Sequence, residues 1–221
     1  MSSVNNWPPI VAEETALLII DVVRDFCAPG GYADQGGMSI ENLRRPIEPI
    51  VKLREAARRQ GVLVVYTREG HRPDLSDLSA AKSRRAIRTG APIGTEGPMG
   101  RLLIRGEYGH DMVDELQPEP GEPVIDKPGY GAFYQTDLDI ILRNAGIRTL
   151  IFTGVTTNVC VQSTLREAID RGYECITMED CCATSEMALH DATMDMIRDE
   201  GDIFGRVMSS TALIERLQGS A

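Results

Sequence analysis

The chain lacks any C-x-x-C pair among its five cysteines, Cys27, Cys160, Cys175, Cys181 and Cys182. An odd number with no such spacing and no secretory pattern argues against a disulfide framework and for reduced thiols. Histidine is scarce too. His71, His110 and His190 are far apart and form neither H-x-H nor H-E-x-x-H, so nothing in the pattern requests a metal. No apolar run approaches the roughly 20 residues needed to cross a bilayer. "MSSVNNWPPIVAEE" also lacks the basic start and apolar core of a signal peptide, so a cytoplasmic location with no membrane partner is expected. Lys/Arg blocks interleaved with aromatics are absent, and a net charge of −10 with pI near 4.8 argues against a nucleic-acid partner.

What is present is enough for one α/β domain over residues 1–221, with 42% hydrophobic and 25% charged residues. Short apolar runs, "ALLIIDVV" (16–23), "VLVVY" (62–66), "PVID" (123–126), "TLIFTG" (149–154) and "ECITM" (174–178), alternate with helical patterns. The helical stretches are 47–61, 136–146, "NVCVQSTLREAIDRG" (158–172) and 187–201. A βα rhythm with continuously apolar strands implies a mostly parallel sheet covered on both faces. Ligands of such sheets bind beyond the carboxyl ends of the strands. Asp21, Lys127 and Cys160 all fall there.

Each has an ordinary explanation. Asp21 caps a turn, Lys127 is a solvated charge before Pro128-Gly129, and Cys160 is a small buried hydrophobe. Together they read differently, as a proton acceptor, a cation and a nucleophile at three strand ends. Asn158 is a plausible N-cap, which sets Cys160 in a first helical turn where backbone N–H groups and the helix dipole would lower a thiol pKa. The N–H groups of Thr156 and Cys160 are candidates for an oxyanion hole.

These residues carry a family resemblance. From "LLIIDVVRDF" through "RGEYGHDMVDELQPEPGEPVIDKPGYGAFYQTDLD" and "TGVTTNVCVQSTLREA" to "EDCCAT" and "IFG", nearly the whole chain resembles the isochorismatase-like cysteine hydrolases. The resemblance implies a three-layer α/β/α sandwich with a Rossmann-like six-stranded sheet, an Asp21-Lys127-Cys160 triad, a cis peptide at Val155–Thr156, no cofactor and a homotetramer. "APGGYAD", "TREGHRPDLSDL", "GPMGRLLIRGEYGHD", "IDKPGYGAFYQTDL" and "EDCCA" look most like biuret and triuret hydrolases. Ureidoacrylate amidohydrolase shares "PGGY", "VDEL", "FTG" and "TNVCV". Nicotinamidases carry a metal site built on an Asp and paired His residues, whereas the exit of the second strand here reads "TREGHRPD" with a lone His71.

The implied activity is hydrolysis of a C–N bond in a small linear ureide, biuret or triuret, through a thioester. Ureidoacrylate or an N-carbamoyl amino acid is the alternative substrate. A family member without activity that binds a ureide or a protein is the reading from a different class. Val155 and the aromatics Phe26, Tyr130, Phe133 and Tyr134 are expected to wall the substrate, with core packing as their other role. Glu200 stands where the resemblance puts Gln in biuret hydrolases. An ionised Glu accepts hydrogen bonds but donates none, so Glu200 is expected to favour a longer ureide such as triuret.

Overall fold

The structure is a computed structural model and describes residues 10–219. Its centre is β1 (Thr15–Ile20), whose sequence TALLII is buried at every position. That follows from a parallel strand covered on both faces. Leu17 and Ile19 point to one core, while Ala16, Leu18 and Ile20 point to the other. Around it lie β2 (Leu63–Glu69), β3 (Val124–Lys127), β4 (Thr149–Val155), β5 (Glu174–Ala183) and β6 (Arg206–Met208). The six-stranded sheet runs β3-β2-β1-β4-β5-β6, with every pair parallel. Both edge strands are short, at four and three residues, which limits exposed edge pairing.

Two helical layers cover the sheet. On one face α1 (Ile47–Arg59) contributes Ile50 and Leu53, and the C-terminal helix α6 (Ser210–Gly219) contributes Leu213 and Leu217. Between them in sequence come α2 (Ala80–Arg88), α3 (Leu138–Asn144), α4 (Gln162–Asp170) and α5 (Met187–Asp202). The opposite face is covered by Leu138 and Leu142 of α3, Leu165 of α4, and Met194 and Ile197 of α5. This is the α/β/α architecture expected from the alternation of runs.

The strands differ from the apolar runs mainly at their carboxyl ends. β2 continues through the polar Thr67, Arg68 and Glu69, and β5 through Glu179 to Ala183. Ladder hydrogen bonds, not hydropathy, carry these ends forward. Between β2 and β3 the chain makes a long excursion that includes α2, capped by the Ser79 hydroxyl accepting from the Lys82 N–H. The buried Asp25 carboxylate accepts from the Leu103 N–H at 2.8 Å and the Tyr32 N–H at 3.3 Å. It ties the excursion to the loop after β1.

Two backbone positions shape the edge where the site lies. Asp21, directly after β1, has φ 54°, a left-handed conformation uncommon for a non-glycine residue. Gly154 in β4 has φ 113°, and a Cβ there would collide with the Ile20 carbonyl oxygen. Only glycine lets β4 pass β1 at this point.

Candidate active site

Four side chains converge at the carboxyl ends of adjacent strands. Asp21 follows β1, Glu69 ends β2, Lys127 ends β3, and Cys160 lies in the turn after β4. All four are buried. Lys127 Nζ sits 2.7 Å from Asp21 Oδ2 and 3.4 Å from Glu69 Oε2, and donates to the carbonyls of Gly129 (3.0 Å) and Tyr130 (2.8 Å). Thr67 Oγ1 donates to Asp21 Oδ1 at 2.7 Å. The Cys160 thiol donates to Glu69 Oε2 at 3.2 Å. On its far side Glu69 Oε1 pairs with Lys82 Nζ of α2 at 2.6 Å, and that ammonium also donates to the Pro128 carbonyl.

The cluster is electrostatically closed. One thiol faces two carboxylates, and two ammonium groups face those carboxylates. Donor atoms of Asp21, Glu69 and Cys160 lie within 4.8 Å of one another, a spacing a cation could bridge. Lys127 already supplies positive charge to both carboxylates.

Burial dominates the ionisation of these groups, and their partners then separate them. Burial raises the Asp21 carboxyl above its ordinary range, with Lys127 opposing and Glu69 adding to the rise. Burial would raise Glu69 as well, but Lys127 and Lys82 hold it down to about 2. Lys127 stays charged because Asp21, Cys160 and Glu69 outweigh the cost of burying its ammonium. For Cys160 burial raises the thiol, Lys127 opposes, and Glu69 and Asp21 add to the rise. The lowered thiol expected from a helix start is therefore not found. Burial, with Glu69 and Asp21 adding to it, outweighs Lys127 and favours the neutral thiol.

Cys160 also enters its helix differently from the sequence reading. The turn Thr157–Val161 is a π-helical turn leading into α4, and its N-cap is Thr156, not Asn158. The Thr156 carbonyl accepts from the N–H groups of Val159 (3.1 Å) and Val161 (3.2 Å). The Val155–Thr156 peptide before it is cis. Thr157 Oγ1 lies 2.9 Å from His190 Nδ1 of α5, which holds this turn from the other side.

A cavity of about 320 Å³ opens beside the cluster. Its wall includes Lys82, Arg85, Tyr130, Tyr134 and Glu167, with the Pro128–Gly129 backbone and Ser163, three residues after Cys160. Tyr130 and Tyr134, both expected as substrate-wall residues, line this cavity. Lys82 lies 5.0 Å from the Tyr130 ring centroid, and Tyr134 is 54% exposed. Val155 is buried directly before the cis bond.

Phe133 does not line the cavity. It is buried, stacks on Tyr173 at 6.0 Å and carries Arg171 over its ring, so its role is packing under α4. Phe26 is likewise buried, edge-on to Tyr32 at 5.8 Å. Burial raises the Tyr32 phenol, its hydrogen bond with Thr89 opposes, and Glu69, Tyr130 and Cys160 add to the rise. Glu200 is also displaced from its expected place. It is exposed at the kinked end of α5, where the chain has returned to the amino edge of the sheet, and nearby Gly205 packs on the Cys175 carbonyl near the start of β5. About one strand length, ~20 Å, separates it from the cluster. A helix that leaves the carboxyl edge after β5 must end at the opposite edge.

Glu69 and Lys82 are members of this cluster that the sequence reading missed. Glu69 obeys the same rule as Asp21 and Lys127, a charged residue at the carboxyl end of a strand. Ending the strand at Tyr66 concealed it.

The isochorismatase domain model matches residues 15–212. The chain belongs to the isochorismatase family. Among related family members, the ureidoacrylate amidohydrolase RutB of Azorhizobium caulinodans is 37% identical over 174 residues, covering 77% of each chain. The ureidoacrylate amidohydrolase RutB of Acinetobacter baylyi is 32% identical over 213 residues, 95% of this chain and 86% of that protein. Of solved structures, a cysteine hydrolase from Pseudomonas syringae superposes over 100% of both chains with a TM-score of 0.83 and 27% identity. N-carbamoylsarcosine amidase from Thermoplasma acidophilum matches 89% of this chain and 96% of that one, with a TM-score of 0.67 and 28% identity. This isochorismatase-family chain is accordingly a hydrolase by kinship.

Proposed function

We propose that this protein is a cysteine amidohydrolase that cleaves the terminal C–N bond of a small ureide and releases ammonia. The observation that carries the reading is the Cys160 thiol set against two carboxylates that share the Lys127 ammonium, 2.7 Å from Asp21 and 3.4 Å from Glu69. In this reading Asp21 takes the thiol proton as substrate enters, and the Cys160 sulfur attacks the ureido carbonyl. N–H groups of Thr156 and Cys160 receive the oxyanion. Collapse breaks the C–N bond, and Asp21 returns the proton to the leaving nitrogen, so ammonia departs. Water, deprotonated by Asp21, then hydrolyses the thioester and restores the thiol.

A resting thiol above its ordinary value fits this sequence of steps, because the charged pair is needed only once substrate is in place. The thiol's resting ionisation therefore does not separate an enzyme from a binding-only protein. Turnover does.

Two observations support a ureido acid of the ureidoacrylate kind as the substrate. The relatives named ureidoacrylate amidohydrolase are 32% to 37% identical to this chain. The cavity wall also carries Arg85, which contacts the Tyr130 hydroxyl and can receive a carboxylate. Biuret or triuret is the second reading, supported by the segments "TREGHRPDLSDL" and "IDKPGYGAFYQTDL". Ammonia release from ureidoacrylate, biuret, triuret, N-carbamoylsarcosine and nicotinamide tests both. Turnover of the first three and none of nicotinamide is expected, with ureidoacrylate giving the highest kcat/KM. Failure of every ureide would end the proposal.

A further inference from the structure

The mechanism above leaves Glu69 without a task, although its carboxylate accepts the Cys160 S–H at 3.2 Å. Resting on the ureide reading, we infer that Glu69 has two successive partners: it accepts the Cys160 S–H and keeps the sulfur protonated in the free protein, then accepts N–H groups on the nitrogen that leaves. Glu69 is thus a thiol guard and the residue that selects carbonyl compounds bearing N–H on the scissile nitrogen.

The geometry divides labour between the two carboxylates. Asp21 is held at both oxygens, Oδ1 by Thr67 and Oδ2 by Lys127. Glu69 is held most closely at one end: Oε1 binds Lys82 at 2.6 Å, while Oε2 makes longer contacts, to Cys160 at 3.2 Å and Lys127 at 3.4 Å. The firm Lys82 contact fixes the carboxylate plane, and the longer contact to sulfur is the one a ligand can replace. Attack requires the substrate carbonyl carbon within about 3–3.5 Å of the sulfur. The leaving nitrogen is bonded to that carbon, which brings it within reach of an oxygen 3.2 Å from the same sulfur.

An ionised carboxylate only accepts hydrogen bonds. It favours a nitrogen carrying hydrogens and repels the lone pairs of an ester oxygen. Two ammonium groups, Lys82 at 2.6 Å and Lys127 at 3.4 Å, favour its ionised form, whereas burial raises Asp21. Two carboxylates pushed apart in this way take different roles. Substrate binding would then withdraw Glu69 from the thiol at the moment the thiol must lose its proton. Binding and activation are coupled through one oxygen.

The test is Glu69→Gln with two readouts that the inference moves in opposite directions. The first is the rate at which methyl methanethiosulfonate, a small neutral reagent with no N–H, modifies Cys160 at pH 7.5. The second is kcat/KM for ureidoacrylate and biuret. Other ionisable groups that act on the sulfur stay in place: Asp21 from β1, Lys127 from β3, and Tyr32, Tyr130 and Lys82 beside them. With the anion gone, modification should be faster by about fivefold or more. Hydrolysis should be slower by about tenfold or more, the loss of a charge-assisted hydrogen bond to substrate. Because the variant leaves Lys82 without its carboxylate, Glu69→Gln combined with Lys82→Met removes both charges and should show the same opposed changes. Slower modification together with slower hydrolysis would make Glu69 the base for the thiol and overturn the inference. Modification unchanged in both variants would overturn it too. A wild-type protein that is modified at Cys160 but hydrolyses no ureide would instead strike the proposed function and leave the guard half to stand or fall on the first readout.

Discussion

Replacing Lys127 by Met removes the ammonium that pairs with Asp21 and leaves only Lys82, which faces Glu69. The ammonium is fully buried and touches Asp21, Glu69 and the carbonyls of Gly129 and Tyr130. Met fills similar space, so the cost is electrostatic, with little left over for a cavity. Breaking a buried pair by removing one partner costs about 3–5 kcal/mol, because the remaining charge stays desolvated. For a chain of this size that corresponds to a fall in Tm of roughly 6–20 °C. The loss should depend on pH in a defined direction. In wild type Lys127 is charged in the folded and unfolded chain across pH 4–9, so it adds no pH dependence there. In the variant Asp21 loses the partner that opposes its upward shift, and a carboxyl raised in the folded state destabilises at pH values above its unfolded pKa. The gap between wild type and variant should be widest at pH 7–8 and narrow as pH falls towards 4. Urea unfolding at pH 4.5, 6 and 7.5 and one protein concentration reads this out. A variant within about 1 kcal/mol of wild type at pH 7.5, with parallel pH dependence, would refute the reasoning.

Three further outcomes are expected. Asp21→Asn should lower kcat by about 10²–10⁴-fold, and the acidic limb of the wild-type pH profile, on which activity rises as pH climbs through the raised Asp21 pKa, should vanish with it. Gly154→Ala should cost about 3 kcal/mol or more in urea unfolding, since the left-handed backbone and the Ile20 carbonyl both exclude a methyl group. Glu200→Gln should leave the triuret to biuret ratio of kcat/KM within about twofold, as for an exposed residue far from the site; a tenfold change would place Glu200 in substrate recognition after all.

The parts of the molecule legible in the sequence are those where one physical signal acts alone. TALLII and TLIF are buried on both faces, so hydropathy finds β1 and β4. The same periodicity marks α1 and α5. Asp21, Lys127 and Cys160 come together because parallel strands deliver their carboxyl ends to one edge, a topological rule that needs no coordinates. Glu69 escapes because β2 turns polar before it ends, and Lys82 because it arrives from a helix in a long excursion. Phe133 shows the limit of reading aromatics: sequence proximity to Lys127 is real, but its ring turns into the α3–α4 core. The thiol is misjudged for a different reason. A helix start acts through partial charges, whereas complete burial of the sulfur, with Glu69 and Asp21 beside it, raises the thiol, and both are tertiary facts.

The central claim, that Cys160 breaks a ureide C–N bond, is tested most directly by the kcat of Cys160→Ser for ammonia release from ureidoacrylate and biuret, on protein shown by circular dichroism to be folded. Ser matches the thiol closely in size but is far less acidic, so turnover should fall by about 10³-fold or more while the wild type releases ammonia from at least one of the two. Turnover by Cys160→Ser within tenfold of wild type would contradict the account.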